Sequence, residues 1–423
     1  MNLASISVGA LVVAIIVSCT TRLNVGLLSL AFAWIIGVYL GGMSLPEVLS
    51  GFPVPLFLTL AGVTLLFSQA HVNGTLERVA HHAVRLCRGQ RGFVPIMFFT
   101  LAATLASVGP GNIATAALLA PMAMAAAKRA AIPLFLMAIM LANGASAGSL
   151  SPFAPTGIIV NGIMPRIGMP GVEWQTYVNN FVAHALIAFS GYFVLGGWKL
   201  FRRGRGNSAA GAAIPESEAA EETGQQAFET RHWITLAVIT MLILSVVFFD
   251  VNVGMGAFAC AVLLALVRVA DHQESIRRMP WAVIMMVSGV TVLIELLAKT
   301  QGLDLFVDLL ARLTSQETAT GVSAFVTGLI SVYSSTSGVV LPAFLPTIPG
   351  LIERLGGGDA FAIASSMNVG AHLVDVSPLS TTGALCLAGA TSPEDTRTLF
   401  NQLLAWGLSM TVVGAVVCYL LFG

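Results

Sequence analysis

Asp375 and His372 lie within an otherwise apolar stretch of the chain. An aspartate inside a membrane span costs about 2.5–3.5 kcal/mol on insertion scales, so such a residue usually marks a pathway or a partner. The Asp375 carboxyl is a candidate to ligate a cation or take up a proton, with His372 as its neighbour across a turn; structural tethering to backbone groups is the alternative. Both residues belong to a pattern that occurs twice, as GASAGSLSPFAPTG (Gly144 to Gly157) and GAHLVDVSPLSTTG (Gly370 to Gly383). Gly144 matches Gly370, Ser151-Pro152 matches Ser377-Pro378, Thr156 matches Thr382 and Gly157 matches Gly383 at the same spacing. Each copy follows a second polar segment that opens on the same dipeptide: SVGPGNIAT from Ser107 to Thr115, and SVYSSTSGV from Ser331 to Val339.

So many Gly, Ser, Thr and Pro residues in an apolar run do not suit a continuous spanning helix, but they suit broken backbone that lines a cavity. A break exposes N–H groups at the start of one half-helix and C=O groups at the end of the other. The N–H end attracts a carboxylate or other oxyanion, and free carbonyls attract a small cation. No Arg or Lys lies within either copy of the pattern, so an anion must be held by backbone, hydroxyls and amides. The candidate solute ligands are Asn112, Thr115, Ser149, Pro152 and Thr156 from the first half, with Ser335, Thr336, Ser337, Pro378, Ser380 and Thr381 from the second. The candidate ion ligands, for Na⁺ or H⁺, are Ser107, Gly111, Asn112, Gly144 and Ser146, with Ser331, Thr336, Gly370, His372 and Asp375. For any single hydroxyl, helix packing by small residues is the competing explanation.

The elements that must position these groups are membrane helices. The 423 residues are 56% hydrophobic and only 9% charged, far from the roughly 25% charge of soluble domains. Soluble enzymes are thereby excluded. Candidate spans cover 4–20, 25–41, 54–70, 132–165 with a break, 177–198, 232–249, 252–268, 279–297, 359–389 with a break, and 399–421. The stretches 92–128 and 318–349 have polar midpoints and read as re-entrant hairpins. In the first, Pro110 between Gly109 and Gly111 stops one helix and Asn112 is placed to cap the next.

The expected fold is therefore an all-α polytopic membrane protein with two repeats, 1–199 and 232–423, each carrying a hairpin and a broken helix. Each repeat has an odd number of crossings, so the second inserts upside down relative to the first, as in alternating-access transporters. With the N-terminus outside, every Lys and Arg falls on the inner side except Arg166, Lys299, Arg312 and Arg354, which fits the positive-inside rule and puts both termini in the periplasm of an inner membrane. The first apolar run lacks a basic flank and reads as a retained span rather than a signal peptide. Segments 71–91 and 299–315 have helical apolar spacing that suggests interfacial helices, with plain loops of some helicity as the equal alternative, and the hydrophilic stretch 200–231 reads as a cytosolic linker.

The five cysteines are scattered without metal-ligand or disulfide spacing, and His81-His82 is not metal-site spacing. His184 reads as a packing or hydrogen-bonding residue. No cofactor is called for, no phosphate loop argues for direct use of ATP, and nothing points to nucleic acid. A membrane enzyme would lack a nucleophile–base pair.

TRLNVGLLSLAFAW (Thr21 to Trp34), the FPVPLFLTLAGVTLLF run and GNIATAALLAP closely resemble the N-terminal domain of the MatC malonate/dicarboxylate carrier family. The plan of hairpin plus broken helix looks like the wider ion transporter superfamily, especially the divalent-anion/sodium symporters. That resemblance implies a homodimer of subunits, each with a fixed scaffold and a moving transport domain, working by an elevator-like displacement. In the symporters each hairpin tip bears Ser-Asn-Thr, which contacts a substrate carboxylate and helps form a sodium site. Here Gly111-Asn112-Ile113 retains only the Asn, Ser335-Thr336-Ser337-Gly338 lacks it, and an acidic residue such as Asp375 is not expected in the family's second broken helix. The favoured function is symport of a small dicarboxylate such as malonate or succinate with Na⁺ or H⁺. An anion channel and the membrane subunit of a larger uptake system are the alternatives.

Overall fold

The computed structural model describes residues 2–21, 23–86, 91–200, 228–249, 251–389 and 393–423. The linker expected at 200–231 lies almost wholly outside them. The described residues form helices joined by turns and short loops. In the first half these are α1 (Leu3–Thr20), α2 (Val25–Trp34, continued by a π turn, Ile35–Leu40), α3 (Leu45–Leu49), α4 (Val54–Val72), α5 (Thr75–Leu86), α6 (Phe93–Val108), α7 (Gly111–Arg129), α8 (Leu134–Gly148), α9 (Pro155–Ile163) and α10 (Glu173–Val194). The second half contains α11 (Thr230–Phe249), α12 (Val253–Leu266), α13 (His272–Arg277), α14 (Trp281–Lys299), α15 (Gly302–Ala311), α16 (Ala319–Ser331), a π turn (Thr336–Val340), α17 (Leu341–Phe344), α18 (Ile348–Leu355), α19 (Ala360–Leu373), α20 (Thr381–Ala388) and α21 (Pro393–Phe422). It is an all-α polytopic membrane protein, with helices such as α4, α11, α14 and α21 long and apolar enough to cross a bilayer.

The order of elements recurs. A hairpin, α6–α7, precedes a helix broken between α8 and α9; a second hairpin, α16 to α18, precedes a helix broken between α19 and α20. The crossings recur too, because small residues let backbones touch where lipid offers no hydrophobic drive to pack helices. Gly26 of α2 lies on the main chain of Met285 and Gly289 of α14, and Gly62 of α4 lies on Gly254 of α12. These four helices, with α1 packed on α15, form a frame. The hairpins and broken helices pack chiefly on one another, α6 and α7 on α8, and α16 on α19 and α21.

Within that inner group each hairpin meets its broken helix main chain to main chain. A Cβ on Gly144 would lie 2.9 Å from Phe99 Cα, and one on Gly370 would lie 2.5 Å from Ala324 Cα. Some elements run longer than the sequence suggests. The second arm of the first hairpin is a 19-residue helix reaching Arg129, and that of the second hairpin continues to Leu355. Alanine-rich stretches such as 123–127 carry no residue that would end a helix. Likewise α10 covers Glu173–Val194, four residues before the expected span, since hydropathy alone does not register the helix start.

Candidate functional site at the two helix breaks

At the first break α8 ends at Gly148 and α9 begins at Pro155. The turn between them is set by Ser151, whose hydroxyl accepts from the Phe153 N–H (3.3 Å) while its carbonyl accepts from the Ala154 N–H (3.0 Å). The Ser151 hydroxyl also donates to the Ser107 carbonyl at the first hairpin tip (2.6 Å), tying break to tip. The tip itself turns at Gly109, with φ 153°, where a Cβ would meet the Phe67 ring. Helix α7 then starts at Gly111 with Pro110 in the cap position and no side-chain cap; α9 starts behind Ala154, also without one. The two starts touch: a Cβ on Gly111 would lie 3.0 Å from Pro155 Cδ. At α9 Pro155 has no N–H and the Gly157 N–H donates to the Ser149 carbonyl (3.0 Å), so the donors gathered at this place are the first N–H groups of α7 and that of Thr156, at the positive ends of two helices. Asn112, Thr115 and Thr156 are buried beside them, and the Thr115 hydroxyl has no hydrogen-bond partner among the described residues.

The second break repeats the turn with different side chains around it. Ser377 accepts from the Leu379 N–H (3.3 Å) through its hydroxyl and from the Ser380 N–H (3.0 Å) through its carbonyl. Gly383 lies against the Ser377 carbonyl as Gly157 lies against that of Ser151, where any Cβ would collide. Here the helix starts are capped. Ser380 accepts from the Gly383 N–H (3.3 Å) ahead of α20, and Ser335 accepts from the Gly338 N–H (3.1 Å) at the second hairpin tip. The tie between tip and break is made by Asp375, whose carboxyl accepts the Thr336 hydroxyl at 2.7 Å. Thr336 also contacts the Ser331 hydroxyl and reaches the Ala371 carbonyl at 3.4 Å. Asp375 is 7% exposed and forms no ion pair among the described residues.

The two breaks adjoin. The turn 374–376 and α20 pack against α8, and α20 packs against α7. Behind them α8, α10 and α19 share a buried polar seam. Asn180 donates to the Ser146 carbonyl (2.8 Å), and Asn179 donates to Ser365 (3.0 Å). Asn143 donates its amide to Ile139 O, so its oxygen faces His184 Nδ1 at 2.9 Å and that nitrogen must carry the hydrogen.

The candidate residues from the sequence divide as follows. Asn112, Thr115 and Thr156 gather at the uncapped starts of α7 and α9, and Ser331, Thr336 and Asp375 join in one hydrogen-bonded group. Ser149 donates to the Ser146 carbonyl (2.7 Å), while Ser107 donates to Ala103 O (2.6 Å) and meets the Tyr177 hydroxyl (2.9 Å). Ser335 and Ser380 cap their own helices; Ser337 is half-buried, Thr381 is exposed, and Pro152 and Pro378 follow the serines that make the turns. Gly111 supplies a positive φ of 78°, and Gly144 and Gly370 lie where helices press together.

Two expectations change. Asn112 does not cap α7, because the helix begins one residue earlier at Gly111 and leaves Asn112 inside its first turn. His372 does not bond Asp375; its Nδ1 faces the Asn368 carbonyl at 2.7 Å, one helical turn back, while Asp375 turns to the hairpin. Asn143, Asn180 and Tyr177 were not among the candidates; an amide within an apolar helix was the signal that marks the first two.

Comparison with known proteins agrees with the geometry. The model of the dicarboxylate carrier protein MatC N-terminus matches residues 1–149, which bears out the resemblance over that stretch. No curated protein matches the sequence significantly. Among solved structures, Neisseria gonorrhoeae MtrF, described with a class of antimetabolite efflux pumps, superposes with a TM-score of 0.59 at 11% identity, covering 100% of this chain and 96% of its own. The Alcanivorax borkumensis YdaH transporter, described as having an unusual topology, gives a TM-score of 0.54 at 16% identity, covering 91% and 88%. The chain shares its fold with transporters, and the matched family and both structures are carriers rather than enzymes.

Proposed function

We propose that this protein is a secondary transporter that carries a small dicarboxylate, of the size of malonate or succinate, across an inner membrane in symport with Na⁺ or H⁺. The observation that carries the reading is the abutment of Gly111 and Pro155: two uncapped helix starts converge on one buried, polar place, next to a half that holds a buried carboxyl. An anion binds at the former and a cation or proton at the latter, and each offsets the desolvation of the other. The match of residues 1–149 to a dicarboxylate carrier supports the class of solute.

In this reading the two halves insert in opposite senses, with both termini periplasmic. The hairpins and broken helices move as one body past the frame of α1, α2, α4, α12 and α14, in a homodimer, by an elevator-type displacement. The recurring element order and the paired glycine crossings support the repeat.

The test is uptake of labelled malonate and succinate by proteoliposomes holding the purified chain alone, with an imposed Na⁺ or proton gradient. Saturable, gradient-driven accumulation is expected. Non-saturating flux would indicate a channel, and uptake only with an added partner would indicate a subunit of a larger system.

A further inference from the structure

We infer that the site accepts one ionised carboxylate and not two, so that a dicarboxylate is carried as its singly charged form, with a proton held between its far carboxyl and Asp375. This rests on the transporter reading above and specifies its solute and its coupling ion.

The argument is the asymmetry between the halves. In the first, the starts of α7 and α9 have no side-chain cap, they touch, and the Thr115 hydroxyl beside them is buried without a partner among the described residues. That half offers free donors to a full negative charge. In the second, Ser335 takes the Gly338 N–H at the hairpin tip, where α7 has no cap; at the break the Gly383 N–H goes to the Ser380 hydroxyl as the Gly157 N–H goes to the Ser149 carbonyl, and the Ser380 hydroxyl donates to the carbonyls of Asp375 and Ser377. Ser380 stands where the first half has Ala154, and Asp375 stands where it has Ser149. The second half therefore has a serine cap at its hairpin tip and a carboxyl at its break, where the first half has an uncapped helix start and the Ser149 hydroxyl.

Among the described residues no basic side chain pairs with that carboxyl. Of the elements packed on the turn 374–376, α8 and α16 carry no ionisable residue, α19 brings His372, and α20 brings Cys386. On α21, Glu394, Asp395 and Arg397 lie in its first turns and Cys418 and Tyr419 near its end. Thr336 supplies the carboxyl with a hydroxyl donor. A second solute carboxylate arriving there would face a like charge, and two such carboxylates resolve the conflict by sharing one proton. One solute anion and one proton then enter together and leave together on the other side.

The test compares malonate with malonamate, its half-amide, which has one carboxylate and a neutral N–H donor at the other end. Binding to the purified protein is measured by calorimetry from pH 6 to 8, in Na⁺ and in K⁺. For malonate the apparent Kd should rise by roughly tenfold per pH unit, as one-proton linkage requires. Malonamate should bind with little dependence on pH, and both results should be the same in Na⁺ and K⁺. Asp375→Asn should flatten the malonate profile, and the wild-type series decides the matter if that variant does not fold. Malonate affinity that is flat or tighter at high pH, with no binding of malonamate, would overturn the inference and leave transport standing. So would pH-independent binding that strengthens with Na⁺, which would place a sodium ion beside Asp375. Failure of malonate, succinate and malonamate to bind at any pH would overturn the proposed function and the inference with it.

Discussion

Thr336 on the second hairpin donates its hydroxyl hydrogen to Asp375 on the second broken helix at 2.7 Å, joining two elements whose backbones also meet at Ala324 and Gly370. The same two elements in the first half are joined by Ser151 donating to the Ser107 carbonyl. The architectural joint is thus conserved between halves while its chemistry is exchanged: a neutral serine-to-carbonyl bond on one side, a titratable one on the other.

Replacing Thr336 with Val keeps the side-chain shape and removes the donor. The carboxyl is then left buried with one partner fewer, a loss of about 1–3 kcal/mol for an unsatisfied polar group. The expected outcome is a lower unfolding midpoint in detergent, followed by fluorescence-detected gel filtration. Thr336→Ser restores the hydroxyl and should recover most of the difference; equal midpoints for the Val and Ser variants would show that the bond contributes nothing.

Gly144→Ala drives a methyl group into the main chain of Phe99, and Gly370→Ala does the same at Ala324. Neither neighbour is a flexible side-chain end, so overpacking of about 1–3 kcal/mol or more is expected. Gly9 on α1 has open space around it, and Gly9→Ala should be neutral or gain up to about 1 kcal/mol from helix propensity. Thermal midpoints of the three variants, ranked together, check the contrast.

Removing the Ser380 cap frees the Gly383 N–H. Ser380→Ala should cost about 0.5–2 kcal/mol of stability, the usual range for a lost N-cap. If caps in the second half exclude a second carboxylate, the same change should raise malonate affinity measured at pH 8. A fall in that affinity would show that Ser380 holds solute directly.

Asn143→Leu leaves the His184 Nδ1–H with no acceptor in a fully buried position. A cost of about 1–3 kcal/mol is expected, and the imidazole ¹⁵N resonances of His-labelled protein should report the loss of the Nδ1–H tautomer. Unchanged resonances would place the hydrogen on Nε2 already.

The two helix breaks were legible because Gly, Ser, Pro and Thr clusters have few uses inside an apolar run, so Ser151-Pro152 and Ser377-Pro378 announced their turns. The spacing of Leu303, Phe306 and Leu310 left helix and loop both open, and the segment is the helix α15. What could not be read was direction. Ser380 and Thr156 are equally plausible ligands as residue types, yet one turns back to its own helix and the other lies at an uncapped start. Asn112 misses the cap position by a single residue, and the Nδ1 of His372, three residues before Asp375, faces a backbone carbonyl one turn back. Hydrogen-bond allocation of this kind depends on angles that composition and spacing do not encode.

The contact of Gly144 with Phe99 acts as a ruler. It fixes one point on α8 against one point on α6, and the distance from that point to the break at Ser149 decides how far the helix projects toward the hairpin tip. One residue inserted between them would turn the helix by about 100° and lengthen it by about 1.5 Å. Ser151 would then swing away from the Ser107 carbonyl, and the two helix starts at Gly111 and Pro155 would no longer meet. Between notch and break the length of α8 is thus the measure of where the two helix starts meet.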